Sequence, residues 1–233
     1  MTVDFSQFES KAGVEFKDKS LIKQAFTHRS FINENRKSGL SHNERLEFLG
    51  DAVLELAATD FLYKKYPTKN EGDLTSYRAA LVNANSLGRA ATELGVNDFL
   101  LLSKGEAKDV GRARAIILAD TMEAIIGAIY LDQGYISAKK FIEKNLFEFM
   151  DIEEIIRKRL WMDSKSHFQE KAQEKTGITP SYRTVKEIGP DHDKRFSVGV
   201  FLGDVQVAIG EGASKQEAEQ VAAEKGLIEK GWL

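Results

Sequence analysis

The chain has 233 residues, 42% of them hydrophobic and 30% charged, enough for one or two domains that each bury a core. Its 33 basic residues stand against 36 acidic ones, which excludes a generally basic surface and confines any phosphate contact to a local patch. With no cysteine there is no disulfide or thiolate metal site. The N-terminus carries Asp4 and Glu9 and lacks the pattern of a secretion signal, so a cytoplasmic protein with no membrane partner is expected.

Through the first 160 residues, apolar positions recur at spacings of three and four and predict helices. Examples are Leu21, Ile22, Ala25 and Phe26, then Leu46, Leu49, Val53 and Leu56. Helical propensity runs unbroken from Ser76 to Leu94, Gly105 to Arg112 reads as a polar connection, and residues 139–159 read as a further helix. After Trp161 the period changes to two. Phe196, Val198 and Val200 form one alternating set, and Val205, Val207 and Ile209 another, with Gly203-Asp204 as the hairpin turn between them. Thr179 to Val185 supplies a third strand, and helices over Ser164–Lys175 and Ser214–Lys230 flank the three. The change of period places a domain boundary near residue 160.

On a helix around Asn43–Ala57, the carboxylates of Glu44, Glu47, Asp51 and Glu55 fall within an arc of about 80°. Leu46, Leu49, Val53 and Leu56 lie on the opposite stripe, which is expected to face the core. Such an acidic face is ordinarily just solvated. Here no Lys or Arg follows at i+4 to pair the acids, and Phe48 stands on the acidic side, where no core of the same chain is expected. A bound cation and a partner surface would explain both features.

Ala115 to Leu131 is apolar almost all round and is expected to be buried, yet it carries Asp120 and Glu123 on one face. Two buried carboxylates need compensation, and the segment holds no basic residue. Either an arginine from another helix caps them, or they share a cation with the first acidic helix. Oxygen-only donors select a hard ion such as Mg²⁺ or Mn²⁺, whereas the four histidines lack zinc-ligand spacing. A carboxylate-held Mg²⁺ points to phosphoryl chemistry. His28 and His42 read as structural.

The run His42-Asn-Glu-Arg-Leu-Glu-Phe-Leu-Gly-Asp-Ala-Val-Leu54 resembles the signature helix of the ribonuclease III family. The resemblance continues through Glu71-Gly72, Tyr77–Val82 and Ile117–Ala124, and past residue 160 it becomes that of a double-stranded-RNA-binding domain. It implies a two-domain protein: an all-α endonuclease domain over residues 4–150 (core 4–134 plus a trailing helix), then a small α-β-β-β-α domain over 160–230. The implied activity is hydrolysis of both strands of duplex RNA, leaving 5′-phosphate and 3′-hydroxyl ends with short 3′ overhangs, as in ribosomal-RNA precursor processing. The resemblance maps the metal site, for Mg²⁺ with Mn²⁺ as substitute, onto Glu47, Asp51, Asp120 and Glu123. Asp51 and Glu123 take the catalytic roles, and Glu44 and Glu71 are accessory acids. It also implies a homodimer in which Phe48 inserts into the other subunit.

For duplex RNA, read by shape across its minor grooves, the resemblance implies contacts from Ser166, Gln169 and Glu170 of the first helix. It adds His192 in the turn Gly189-Pro-Asp-His, and Ser214 and Lys215 at the start of the last helix. Ser214 with Glu217 also reads as a capping box, whose exposed amides favour a phosphate. Gln216 stands where relatives often have a second basic residue. Two other readings stay open on the sequence: duplex-RNA binding without cleavage, and a metal phosphohydrolase acting on nucleotides.

Overall fold

The computed structural model describes residues 3–108, 111–148, 150, 152, 164–190 and 194–232. The chain divides into two compact units, Met1–Arg157 and Lys158–Leu233.

The first unit is helical: α1 (Ser6–Ala12), α2 (Lys19–Ala25), α3 (Arg29–Glu34), α4 (Glu44–Lys65), α5 (Glu71–Leu81), α6 (Ala84–Glu93), α7 (Arg112–Gln133) and α8 (Tyr135–Ile142). Its centre is α7, where Met122, Ala124, Ile125, Ile126, Ala128 and Ile129 are fully buried, as an all-round apolar helix requires. Helix α4 packs on α7 backbone to backbone. A Cβ on Gly50 would lie 1.7 Å from the Glu123 carbonyl oxygen, and one on Gly127 only 2.2 Å from that of Leu46. Glycine on both helices therefore sets their separation.

Three expectations need correction. The segment from Ser76 to Leu94 is two helices, because Asn83 caps a new one by accepting the Ser86 amide (2.9 Å). Leu56 does not face the core and is 56% exposed. The buried side of α4 runs through Leu46, Gly50, Val53, Leu54, Ala57 and Ala58, which leaves Leu56 on the outer edge beside Phe48. The helix expected over 139–159 starts earlier, at Tyr135, and continues as a π turn over Glu143–Phe147. Residues 149, 151 and 153–163 lie outside the described residues.

The second unit is α9 (Ser164–Thr176), β1 (Ser181–Ile188), β2 (Arg195–Leu202), β3 (Val205–Gly212) and α10 (Lys215–Lys230). The strands form one antiparallel sheet in the order β1-β2-β3, turning through Gly203 at φ 61°. Its core is Phe168, Ala172, Val200, Leu202, Ala222, Ala223 and Leu227. The fold is the α-β-β-β-α arrangement expected. Strand β1 extends past Val185 because a bulge between Thr184 and Lys186 lets it stay paired as far as Ile188. Strand β3 departs from simple alternation: Val205 and Ile209 are exposed, while Gly210 and Gly212 are buried. A Cβ on Gly210 would lie 2.2 Å from both the Ala218 carbonyl oxygen and the Ala222 amide nitrogen. The small residues thus face α10, whereas Val205 and Ile209 point away and Val207 packs partly against the core.

Candidate active site

The α4–α7 crossing brings the two acidic segments together. Gly50 lies between Glu47 and Asp51 on α4, and Gly127 lies one turn beyond Glu123 on α7. Backbone contact at the glycines places these carboxylates in one another's field. Burial, then the charges of Asp51, Asp120, Glu47 and Glu55, pushes the Glu123 carboxyl up to about 8. Burial, then Asp120, Glu44 and Asp51, raises Glu47. Burial raises Asp120 as well, opposed by His28.

Arginines do reach the acidic face, but only at its ends. Arg29 stands 3.4 Å from Glu44, and Arg78 of α5 pairs with Glu55 at 2.7 Å while also donating to Thr59 Oγ1 at 2.9 Å. Neither takes one of the inner four, and among the described residues no Lys or Arg pairs with Glu47, Asp51, Asp120 or Glu123. Among the described residues, then, no arginine caps Asp120 or Glu123, the pair for which that alternative was open. The described residues contain no ready-made cage of three or more metal-ligating groups. The donor set nevertheless fits a hard dication, being all carboxylate, with Glu47 and Glu123 raised in pKa by burial first and by neighbouring carboxylates second, and Asp120 by burial.

A cavity of about 400 Å³ opens beside this cluster. Glu44, Glu47 and Asp120 line it together with Glu106, His28, Arg29, Asn43, Ile116 and Ile117, whereas Asp51 and Glu123 lie outside that lining. Asn43 is buried and donates its side-chain amide to the Ala25 carbonyl (3.2 Å), tying the start of α4 to α2. Glu71 stands exposed in the first turn of α5 and is not among the principal charges acting on Glu47 or Glu123. Sequence reasoning missed Glu106, Arg29 and Arg78. Each sits on a different element from the carboxylates, so no local spacing announces it.

Phe48 is 81% exposed and forms, with Leu56 and Tyr63, an apolar strip along α4 beside the acids. No helix among the described residues is long and apolar enough to cross a membrane.

In the second unit Ser166, Gln169 and Glu170 share the exposed side of α9, opposite buried His167, Phe168 and Ala172. Ser214 caps α10 by accepting the Glu217 amide (3.1 Å). Glu217 returns a carboxylate to the Ala213 amide (2.8 Å), one residue before the position a capping box predicts. Lys215 is not the mobile charge its exposure suggests, since it pairs with Glu187 at 2.8 Å. His192 lies outside the described residues.

A family model described as Ribonuclease-III-like matches residues 18–150, and one described as Double-stranded RNA binding motif matches residues 164–229. The chain is 45% identical over 222 residues to a Ribonuclease 3 of Enterococcus faecalis, covering 95% of each. It is 46% identical over 220 residues to that of Pelotomaculum thermopropionicum, covering 94% of this chain and 90% of the relative. The nuclease domain of ribonuclease III from Campylobacter jejuni superposes with a TM-score of 0.58 at 41% identity, over 64% of this chain and 98% of that one. A second structure of that domain, described for flexibility in a region involved in dimer formation, gives 0.55 at 45% identity over 61% and 98%. The chain therefore belongs to the ribonuclease III family of double-strand-specific endoribonucleases, its all-α nuclease unit followed by a double-stranded-RNA-binding unit.

Proposed function

We propose that this protein is a Mg²⁺-dependent endonuclease that cuts both strands of duplex RNA, with Mn²⁺ as a substitute ion. One observation carries the reading: four carboxylates from two helices, unpaired with any described cation, meet where burial and then their mutual repulsion push Glu123 up to about 8. Glu47, Asp120 and Glu123 would hold the metal, and Asp51 with Glu123 would orient the attacking water. Bound there, the ion would neutralise charge at phosphorus and favour ionisation of water. Water attacks phosphorus, the P–O3′ bond breaks, and the 3′ oxygen leaves as a hydroxyl, so the phosphate stays on the 5′ end. Glu44, which lines the cavity, and Glu71 act as accessory acids.

The exposed Phe48 strip supports a homodimer in which each subunit cuts one strand of the duplex, and staggered sites give short 3′ overhangs. The second unit, over 160–230, grips the duplex by shape through Ser166, Gln169, Glu170, His192, Ser214 and Lys215. Structured transcripts in the cytoplasm, ribosomal-RNA precursors among them, are the substrates this reading assigns.

Incubating end-labelled duplex RNA with and without Mg²⁺ tests the proposal. Cleavage only with metal, giving 5′-phosphate ends, is the expected result. Binding without cleavage would make the protein a duplex-RNA binder, and indifference to RNA would remove the reading altogether.

A further inference from the structure

The cavity beside the acidic cluster is a poor host for a phosphodiester by charge alone, because Glu44, Glu47, Glu106 and Asp120 all line it. An anionic phosphate there needs hydrogen-bond donors. Arg29 uses one guanidinium nitrogen on Glu44 (3.4 Å) and keeps others, as a cation that the acids also attract, and the Asn43 amide is committed to Ala25. His28 is the neutral ring in the lining.

Its hydrogen bonds fix which nitrogen carries the proton. The Ser30 amide donates to His28 Nδ1 (3.3 Å), so that nitrogen presents a lone pair. Ser30 Oγ lies 2.8 Å from the same Nδ1 and itself accepts the Ser103 amide at 3.0 Å. Its hydroxyl proton is therefore free to point at the ring. The chain of donors runs Ser103 N–H to Ser30 O–H to His28 Nδ1, which leaves the neutral imidazole protonated on Nε2. The His28 amide donates to the Leu101 carbonyl (3.0 Å), anchoring the backbone as well. The ring is thus held at its Nδ1 edge, and no described residue bonds Nε2, which is not among the buried unpartnered atoms.

We propose that His28, beyond capping α3, is a catalytic residue that donates from Nε2 to a non-bridging oxygen of the phosphate being cut. The inference rests on the endonuclease reading above. It gives the cleft a neutral donor that offsets the developing negative charge on phosphorus without adding a cation to compete for the carboxylates.

The test is steady-state cleavage of duplex RNA by the full chain carrying His28→Asn or His28→Gln, with Tm and duplex affinity measured alongside. Asparagine keeps an acceptor near Nδ1 and so keeps the cap, but its side chain is too short to donate from the Nε2 position. Glutamine reaches that position and leaves the cap unmade. H28N should lose about 10- to 100-fold in kcat, with KM and Tm close to wild type. H28Q should keep kcat within about five-fold, a partial rescue by the surviving donor, at a lower Tm. The reverse order, an active H28N and a crippled H28Q, makes His28 a helix cap and overturns the proposal, as do two variants with equal kcat. If wild type itself leaves duplex RNA uncut, the endonuclease reading fails and this inference falls with it.

Discussion

At the scale of single residues, the site is defined by which acids have no Lys or Arg partner among the described residues. Arg29 and Arg78 attend to Glu44 and Glu55, so charge crowds at the middle of the α4 face, where α7 adds Asp120 and Glu123. This has a consequence for pH. Glu123 titrates near 8 in the folded protein against an ordinary 4.5, so between those values the folded chain holds a proton that the unfolded chain releases. Its contribution to stability is full below pH 4.5 and is lost as pH rises through 8. In chelating buffer, Glu123→Gln should raise Tm at pH 8 by roughly 2–4 °C and change it little at pH 5. Parallel melting curves check this, and an unchanged slope of Tm against pH would mean the carboxyl is not crowded. The same variant should abolish cleavage while leaving duplex binding measurable.

At the scale of elements, the α4–α7 crossing links packing to chemistry. Gly127→Ala would place a methyl group 2.2 Å from the Leu46 carbonyl oxygen, so the helices must separate. The better helix propensity of alanine, worth about 1 kcal/mol, does not offset overpacking that costs about 1–3 kcal/mol or more. The variant should melt lower and lose metal affinity together. If it keeps both, the backbone contact is not what converges the acids. Removing the α10 cap with Ser214→Ala should cost about 1 kcal/mol, read as a lower Tm of the second unit alone.

These elements differ in how plainly the sequence declares them. The 3.6-residue spacing of Glu44, Glu47 and Asp51, the apolar run around Asp120, and the cap at Ser214 are local patterns, and each stands where the pattern places it. What closes the site is non-local. Gly50 against Glu123, Arg78 against Glu55 and Ser30 against Ser103 join residues on different elements, and no window along the chain contains both partners. The inward face of β3 was hidden for a related reason: the close approach of α10 selects glycine at 210 and 212, against the usual preference for branched residues inside.

At the scale of the molecule, the acidic balance means that RNA affinity must come from geometry and a few donors rather than from net charge. Several surface cations of the second unit are already paired, Lys215 with Glu187 and Lys165 with Glu219 among them. Deleting residues 160–233 should weaken duplex binding by at least about ten-fold at physiological salt. Equal affinity after deletion would place the RNA footprint elsewhere. Phe48→Ala should shift the protein from dimer toward monomer in sedimentation velocity, since the Phe48 ring is 81% exposed beside the acids. A variant that remains fully dimeric would assign the exposed strip another purpose.

Central to the proposed activity is whether Glu47, Asp120 and Glu123, with Asp51 beside them, form a divalent-ion site. Titrating Mn²⁺ into the full chain and its Glu123→Gln variant, with free Mn²⁺ read by electron paramagnetic resonance, tests this directly. Wild type should take up the ion, and the variant should bind it at least about ten-fold more weakly, the loss of about 1.4 kcal/mol or more. Equal uptake by the two proteins would contradict it.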